Sequence, residues 1–233
     1  MNLPKLPTPE FTITLPISQQ LVRYRPFLVK EEKVFLILKE SNDQKFILDN
    51  ILKVMQDCVL NDTQIKDLPY NDFEFLFLNM RVRSIGEQVD LEIKCKSCGS
   101  PSPVSVDLND ISMGSEDDKI NNEIMLSEDI GISCLPMKVK DAANANLVAK
   151  QDPIQSVAYF IDKIYTKDQT YNFNELDQKD KNAFIDSLSM KQLTQIMDFV
   201  ESLPSAKASV KFKCASCEAD NDYTVEGIDN FFT

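Results

Sequence analysis

Leu91-Glu-Ile-Lys-Cys-Lys-Ser-Cys98 and Val210-Lys-Phe-Lys-Cys-Ala-Ser-Cys217 share one pattern, apolar-x-apolar-Lys-Cys-x-Ser-Cys, at two distant places in the chain. Apolar and polar residues alternate through Val89–Ile93 before the first stretch and through Val104–Leu108 after it. Val210-Lys-Phe enters the second stretch, and Asp222–Glu226 returns from it. Period-two alternation on both sides of a short turn reads as a hairpin with a cysteine knuckle at its tip. A Cys-x-x-Cys turn points two sulfurs at one tetrahedral metal, and a closed structural site needs four ligands. The chain has no histidine, so each knuckle completes its set from the other. The expected site is Cys95, Cys98, Cys214 and Cys217 around a structural Zn²⁺. Lys94, Lys96, Lys211 and Lys213 flank these ligands and would offset the charge of four thiolates.

Two other readings of the knuckles stand beside zinc. A redox dithiol sets its Cys-x-x-Cys at a helix N-terminus, where the dipole lowers a thiol pKa. Here Cys98 runs into Gly-Ser-Pro-Ser-Pro and Cys217 into Glu-Ala-Asp-Asn-Asp, neither of which starts a helix directly. Unrelated buried thiols are the third reading. Cys58 and Cys134 lack close cysteine partners and sit in apolar patterns, so both read as small core residues.

The rest of the chain reads as helix with short strands. Residues 1–9 carry three prolines and should be an extended arm; Phe11–Leu15 and Leu21–Arg25 pair as a hairpin around Pro16–Gln20. Helices are expected over 26–40, opening at Pro26, with a strand over 34–38 as the alternative there, and over 44–59. A third is capped by Asp72, carries Phe73, Phe75, Leu76, Phe77, Met80 and Val82, and ends at Gly86. Asp107 to Asp129 holds eight acids against Lys119 alone and reads as a solvated loop, the alternative being a docking site for a basic partner. Beyond it come strands at Ile124–Leu126 and Leu135–Val139. A helix capped by Asp141 runs from Ala142 to about Ile164, interrupted at Pro153, and two more cover 174–187 and 190–202. The expected class is α+β: a mainly helical body with short antiparallel hairpins forming a four-cysteine zinc ribbon. The expected divisions are an N-terminal arm and hairpin (1–25), a helical region (26–88), two halves of a zinc ribbon (89–108 and 208–233), and an inserted acidic loop and helical region (109–207).

Composition narrows the function. The 233 residues carry a formal charge of −12, with 43% hydrophobic and 27% charged residues, which is globular composition. Such acidity argues against nucleic-acid binding, which needs clustered Lys and Arg, and suits a basic or aggregation-prone partner. Four ionised cysteines holding one zinc would bring the charge to about −14. No run approaches the length needed to cross a bilayer, and no signal peptide opens the chain. Without histidine there is no His-based acid–base or nucleophile pair, and five glycines form no phosphate-binding loop. A metal with four protein ligands leaves no position for water or substrate. The expectation is a binding protein, not an enzyme, working in a reducing cytoplasm.

Arg25-Pro-Phe-Leu-Val-Lys-Glu-Glu-Lys33 leads into Leu36-Ile-Leu-Lys-Glu-Ser41, and Phe75-Leu-Phe-Leu-Asn-Met-Arg-Val-Arg-Ser-Ile-Gly-Glu87 runs into the first knuckle. These segments resemble the T4-type bacteriophage baseplate hub family, whose members are hub subunits and hub assembly proteins of contractile tails. The resemblance is strongest over residues 10–110. It implies a protein acting in the infected host's cytoplasm, where it brings together the baseplate hub and the tape-measure protein, or one with a place in the virion baseplate. It implies no catalytic residues. The competing function is a zinc-ribbon accessory protein of transcription or replication, which would need a basic face.

Overall fold

The structure, a computed structural model, describes residues 6–41, 43–108 and 121–226. The start of the expected arm, the acidic stretch 109–120 and Phe231-Phe232 lie outside the described residues. The chain divides into two compact units, Met1–Ser115 with Pro204–Thr233, and Glu116–Leu203. Both mix helices with short antiparallel sheets. No helix among the described residues is long and apolar enough to cross a membrane.

The first unit opens with β1 (Phe11–Thr14) and β2 (Leu21–Tyr24), paired Phe11↔Tyr24 through Thr14↔Leu21. Three helices follow: α1 (Val29–Lys39), α2 (Gln44–Cys58) and α3 (Tyr70–Ile85). Helix α1 starts later than Pro26 suggested. Phe27 donates its N–H to Ser84 Oγ at 2.7 Å, and the Glu31 carboxylate accepts the Leu28 N–H at 2.9 Å, closing the first turn from inside. Glu31 also pairs with Arg25 at 2.9 Å in a part-buried setting. Asp43 caps α2 by accepting from Phe46 N–H at 3.0 Å. Phe27, Phe35 and Phe77 meet with ring centroids 4.9–6.1 Å apart, and Leu15, Met55, Cys58, Phe73, Leu76 and Met80 are fully buried.

Asp72 is not the cap of α3. The helix begins two residues earlier, after Pro69, whose carbonyl accepts the Phe73 N–H at 3.1 Å. Asp72 sits inside the first turn, fully buried, and its two carboxylate oxygens accept the N–H groups of Ile17 and Ser18, each at 2.8 Å. The side chain holds the β1–β2 turn on the start of α3. At the other end Gly86, at φ 117°, terminates the helix as expected.

Two hairpins complete this unit: β3 (Gln88–Lys94) with β4 (Pro101–Asp107), and β9 (Lys207–Lys213) with β10 (Asp220–Glu226). Their inward residues Val89, Leu91, Val106, Ala208 and Val210 form one apolar cluster with Leu78 of α3.

The second unit is built on the antiparallel sheet β5 (Glu123–Met125), β6 (Ile130–Cys134), β7 (Ile161–Thr166) and β8 (Thr170–Asn172), in that order. Helices α4 (Val139–Gln151), α5 (Gln178–Asp186) and α6 (Met190–Ser202) accompany it. Ile132, Cys134, Ile161, Ile164, Phe173, Leu193, Ile196 and Phe199 share its core. Three expectations fail here. The strand expected at Leu135–Val139 lies at Ile130–Cys134, because Pro136 cannot donate to a ladder. Asp141 lies within the first turn of α4 instead of capping it. The helix expected to reach Ile164 stops at Gln151, where Asp152 accepts the N–H groups of Ile154 and Gln155. A 3₁₀ stretch, Gln155–Phe160, then leads into β7.

Candidate metal centre

The C-terminal hairpin is laid out on the plan of the N-terminal one. In each, seven residues pair with seven, Lys94↔Pro101 to Gln88↔Asp107 in one and Lys213↔Asp220 to Lys207↔Glu226 in the other. The knuckles repeat the same hydrogen bonds. Cys95 N–H donates to Ser100 O at 2.9 Å and Gly99 N–H to Cys95 O at 2.9 Å. Cys214 N–H donates to Ala219 O at 3.0 Å and Glu218 N–H to Cys214 O at 2.9 Å. The residue after each second cysteine is left-handed, Gly99 at φ 73° and Glu218 at φ 58°. That turn lets the chain reverse within the knuckle and aims both of its sulfurs to one side.

The two tips meet. The Sγ atoms of Cys95, Cys98, Cys214 and Cys217 all lie within 4.8 Å of one another. Cys95 stands 3.7 Å from Cys217, and Cys98 stands 3.7 Å from Cys214. Metal–sulfur bonds of about 2.3 Å in a tetrahedron put neighbouring sulfurs about 3.8 Å apart, so the separations suit one ion. Cys95 and Cys214 are buried; Cys98 and Cys217 are exposed.

Backbone amides favour charge on the inner pair. The Cys98 N–H, with further donors from Asn221 and Ser97, brings the Cys95 thiol down to about 6. The N–H groups of Ser216 and Cys217 lower Cys214. The Ala219 N–H favours the Cys217 thiolate, but its neighbours Cys98, Cys214 and Cys95, with partial desolvation, push that thiol up to about 12. Four sulfurs this close ionise together only around a cation. The donors at the sulfurs are amides: Ser97 N–H reaches Cys95 Sγ and Ser216 N–H reaches Cys214 Sγ, both at 3.4 Å. Of the flanking lysines, Lys96 places its ammonium 4.4 Å over the Tyr223 ring and Lys211 pairs with Asp222 at 3.5 Å.

All four residues expected from the spacing are thus brought together. The spacing did not reveal Asn221, which is buried beside them. Its Oδ1 accepts the Lys96 N–H at 3.0 Å, and its Nδ2 reaches Cys95 Sγ at 3.5 Å. Cys58 and Cys134 lie in the two separate cores, where burial pushes their thiols up to about 11 and about 12.

A family model described as T4 bacteriophage base plate protein matches residues 7–233. The chain is similar to the baseplate hub assembly protein gp26 of Enterobacteria phage T4, 20% identical over 224 residues that cover 96% of this chain and 98% of that protein. No solved structure matches.

Proposed function

The chain belongs to the T4 bacteriophage base plate protein family, and from that premise we propose that it is a hub subunit or hub assembly factor of a contractile phage tail. The observation that carries this reading is the end-to-end similarity to a hub assembly protein. The work is binding, not catalysis: the chain holds the baseplate hub and the tape-measure protein together, in the manner of a chaperone, in the infected host's cytoplasm. A charge of −12 suits a client that is basic or prone to aggregate before the tube encloses it. Deleting the gene should abolish tails while leaving DNA synthesis intact, and the tagged protein should co-purify with hub or tape-measure protein. Normal tails from the deletion phage would overturn the reading.

The centre serves this role structurally. Cys95, Cys98, Cys214 and Cys217 hold one Zn²⁺ with every position filled by sulfur, so the ion fixes two hairpins and offers no site to substrate. This gives a four-cysteine ribbon whose halves lie on either side of the inserted unit. The ion's contribution is to folding.

A further inference from the structure

The two hairpins match in length, register and knuckle geometry, yet among the described residues the non-cysteine contacts across the centre come from β10 onto the N-terminal knuckle. Three consecutive residues of β10 grip the N-terminal knuckle. Asn221 accepts the Lys96 N–H and donates to Cys95 Sγ. The Asp222 carbonyl accepts from the Lys96 ammonium. The Tyr223 hydroxyl donates to the Lys94 carbonyl, and its ring carries the Lys96 ammonium. The register puts Ser102, Pro103 and Val104 of β4 at the matching positions. Val104 has no polar side chain to give, and Ser102, though buried, has a hydroxyl without a partner. Serine is too short to span what asparagine spans.

We infer that Asn221 is a positioning residue of the metal centre: it locks the N-terminal knuckle onto the C-terminal hairpin and tunes the Cys95 sulfur by donating to it. A thiolate that accepts an extra hydrogen bond carries less charge toward its metal, and partners of this kind hold a ligand in its bonding direction. Ser102 performs neither task for the opposite knuckle. The inference rests on the tetrathiolate reading of the centre.

The test uses the full chain loaded with Co²⁺ in place of Zn²⁺, which reports on sulfur ligation by its charge-transfer and d–d absorption. Asn221→Ser copies the residue that the sister hairpin already tolerates, so the hairpin should form; Asn221→Ala repeats the deletion independently. Both variants should still take one Co²⁺ in a four-sulfur tetrahedron. Their sulfur-to-metal band should move to lower energy, and chelator competition should show zinc held about 10- to 100-fold more weakly. Ser102→Ala should change neither. An unchanged band and unchanged zinc competition in the Asn221 variants would overturn the inference and leave the metal centre standing. An equal change in Ser102→Ala would also overturn it. A parent protein without the four-sulfur spectrum would refute the centre itself, and this inference with it.

Discussion

Replacing Asp72 by alanine tests the way the first unit is assembled. The carboxylate is fully buried and accepts two backbone N–H groups at 2.8 Å, from residues more than fifty positions earlier in the chain. Hydrogen bonds to a charged group contribute about 1.5–3 kcal/mol each. Their joint loss would reach about 3–6 kcal/mol if the freed amides stayed dry. The Ile17–Ser18 turn is only part-buried, so water recovers some of this and the expected cost is about 3–4 kcal/mol. That is a large share of the roughly 5–15 kcal/mol that holds a domain folded. With a urea slope of about 2 kcal/mol/M, the unfolding midpoint of this unit should fall by about 1.5–2 M. The conservative change Asp72→Asn would keep one acceptor but point an NH₂ at the second amide, so it should lose about 2–3 kcal/mol despite its matching shape. Amide hydrogen exchange gives the local readout. Ile17 and Ser18, whose N–H groups are bonded to Asp72, should be protected in the parent chain and should exchange quickly in both variants. A loss below about 1 kcal/mol, or unchanged protection at those two amides, would refute the account of Asp72 as the staple between hairpin and helix.

Thiol titration should find no rapidly reacting cysteine in the zinc-loaded protein, four after a chelator removes the ion, and six only in denaturant, since Cys58 and Cys134 are buried with raised pKa values; six reactive thiols without a chelator would contradict the site. Gly99→Ala should cost about 1 kcal/mol, because Gly99 is left-handed at φ 73°, whereas Glu218→Gly, at the matching turn, should be neutral or mildly stabilising; equilibrium urea melts compare them. Burial by itself would raise the Glu31 carboxyl, but hydrogen bonds from Arg25, the Leu28 N–H and Lys30 outweigh it and hold the group below its usual 4.5. That contribution is present in full above pH 4.5 and is lost as pH falls through the lower folded value, so Glu31→Gln should flatten the acid limb of a stability–pH curve measured from about pH 6 down to about pH 3.

The four-cysteine cluster is more legible in the sequence than the sheet of the second unit, for physical reasons. A Cys-x-x-Cys turn is a local device, and each knuckle carries its whole signal within eight residues. Asn221 is hidden because its role depends on the Lys96 knuckle, reached only through the fold. Asp72 misleads for the same kind of reason: an acid near a helix start usually caps it, but this one turns to a distant hairpin. Strand β7 imitates a helix. Ile161 and Ile164 are both buried, three residues apart, which is helical spacing. The ladder shows how a strand achieves this: Cys134 pairs with Ile161 and Ser133 with Lys163, a register shift that passes over Asp162. A bulge returns the next residues to the same face. Strand β6 gives a weak signal because its Gly131 lies under the Tyr165 ring, where a Cβ would come within 2.4 Å of ring atoms.

The arrangement of the cysteines explains how a chain can place half of the proposed metal site at each side of a large insertion. Cys98 and Cys214 bracket a loop of roughly 115 residues, and closing a flexible loop costs about 0.6 kcal/mol for each doubling of its length. The insertion does not behave as a flexible loop once folded, because Ile124 near its start and Leu203 at its end join the same apolar cluster. Its folding therefore shortens the path between the knuckles about threefold and lowers the closure cost by about 1 kcal/mol, a factor of roughly five in metal affinity. That is a small effect beside the binding energy of a structural zinc, roughly 10–16 kcal/mol. The hairpins can accordingly find each other through their own apolar faces and sulfurs, with little dependence on what the insertion contains. The insertion's sequence is then free to vary, while Asn221 keeps the N-terminal knuckle on the C-terminal hairpin.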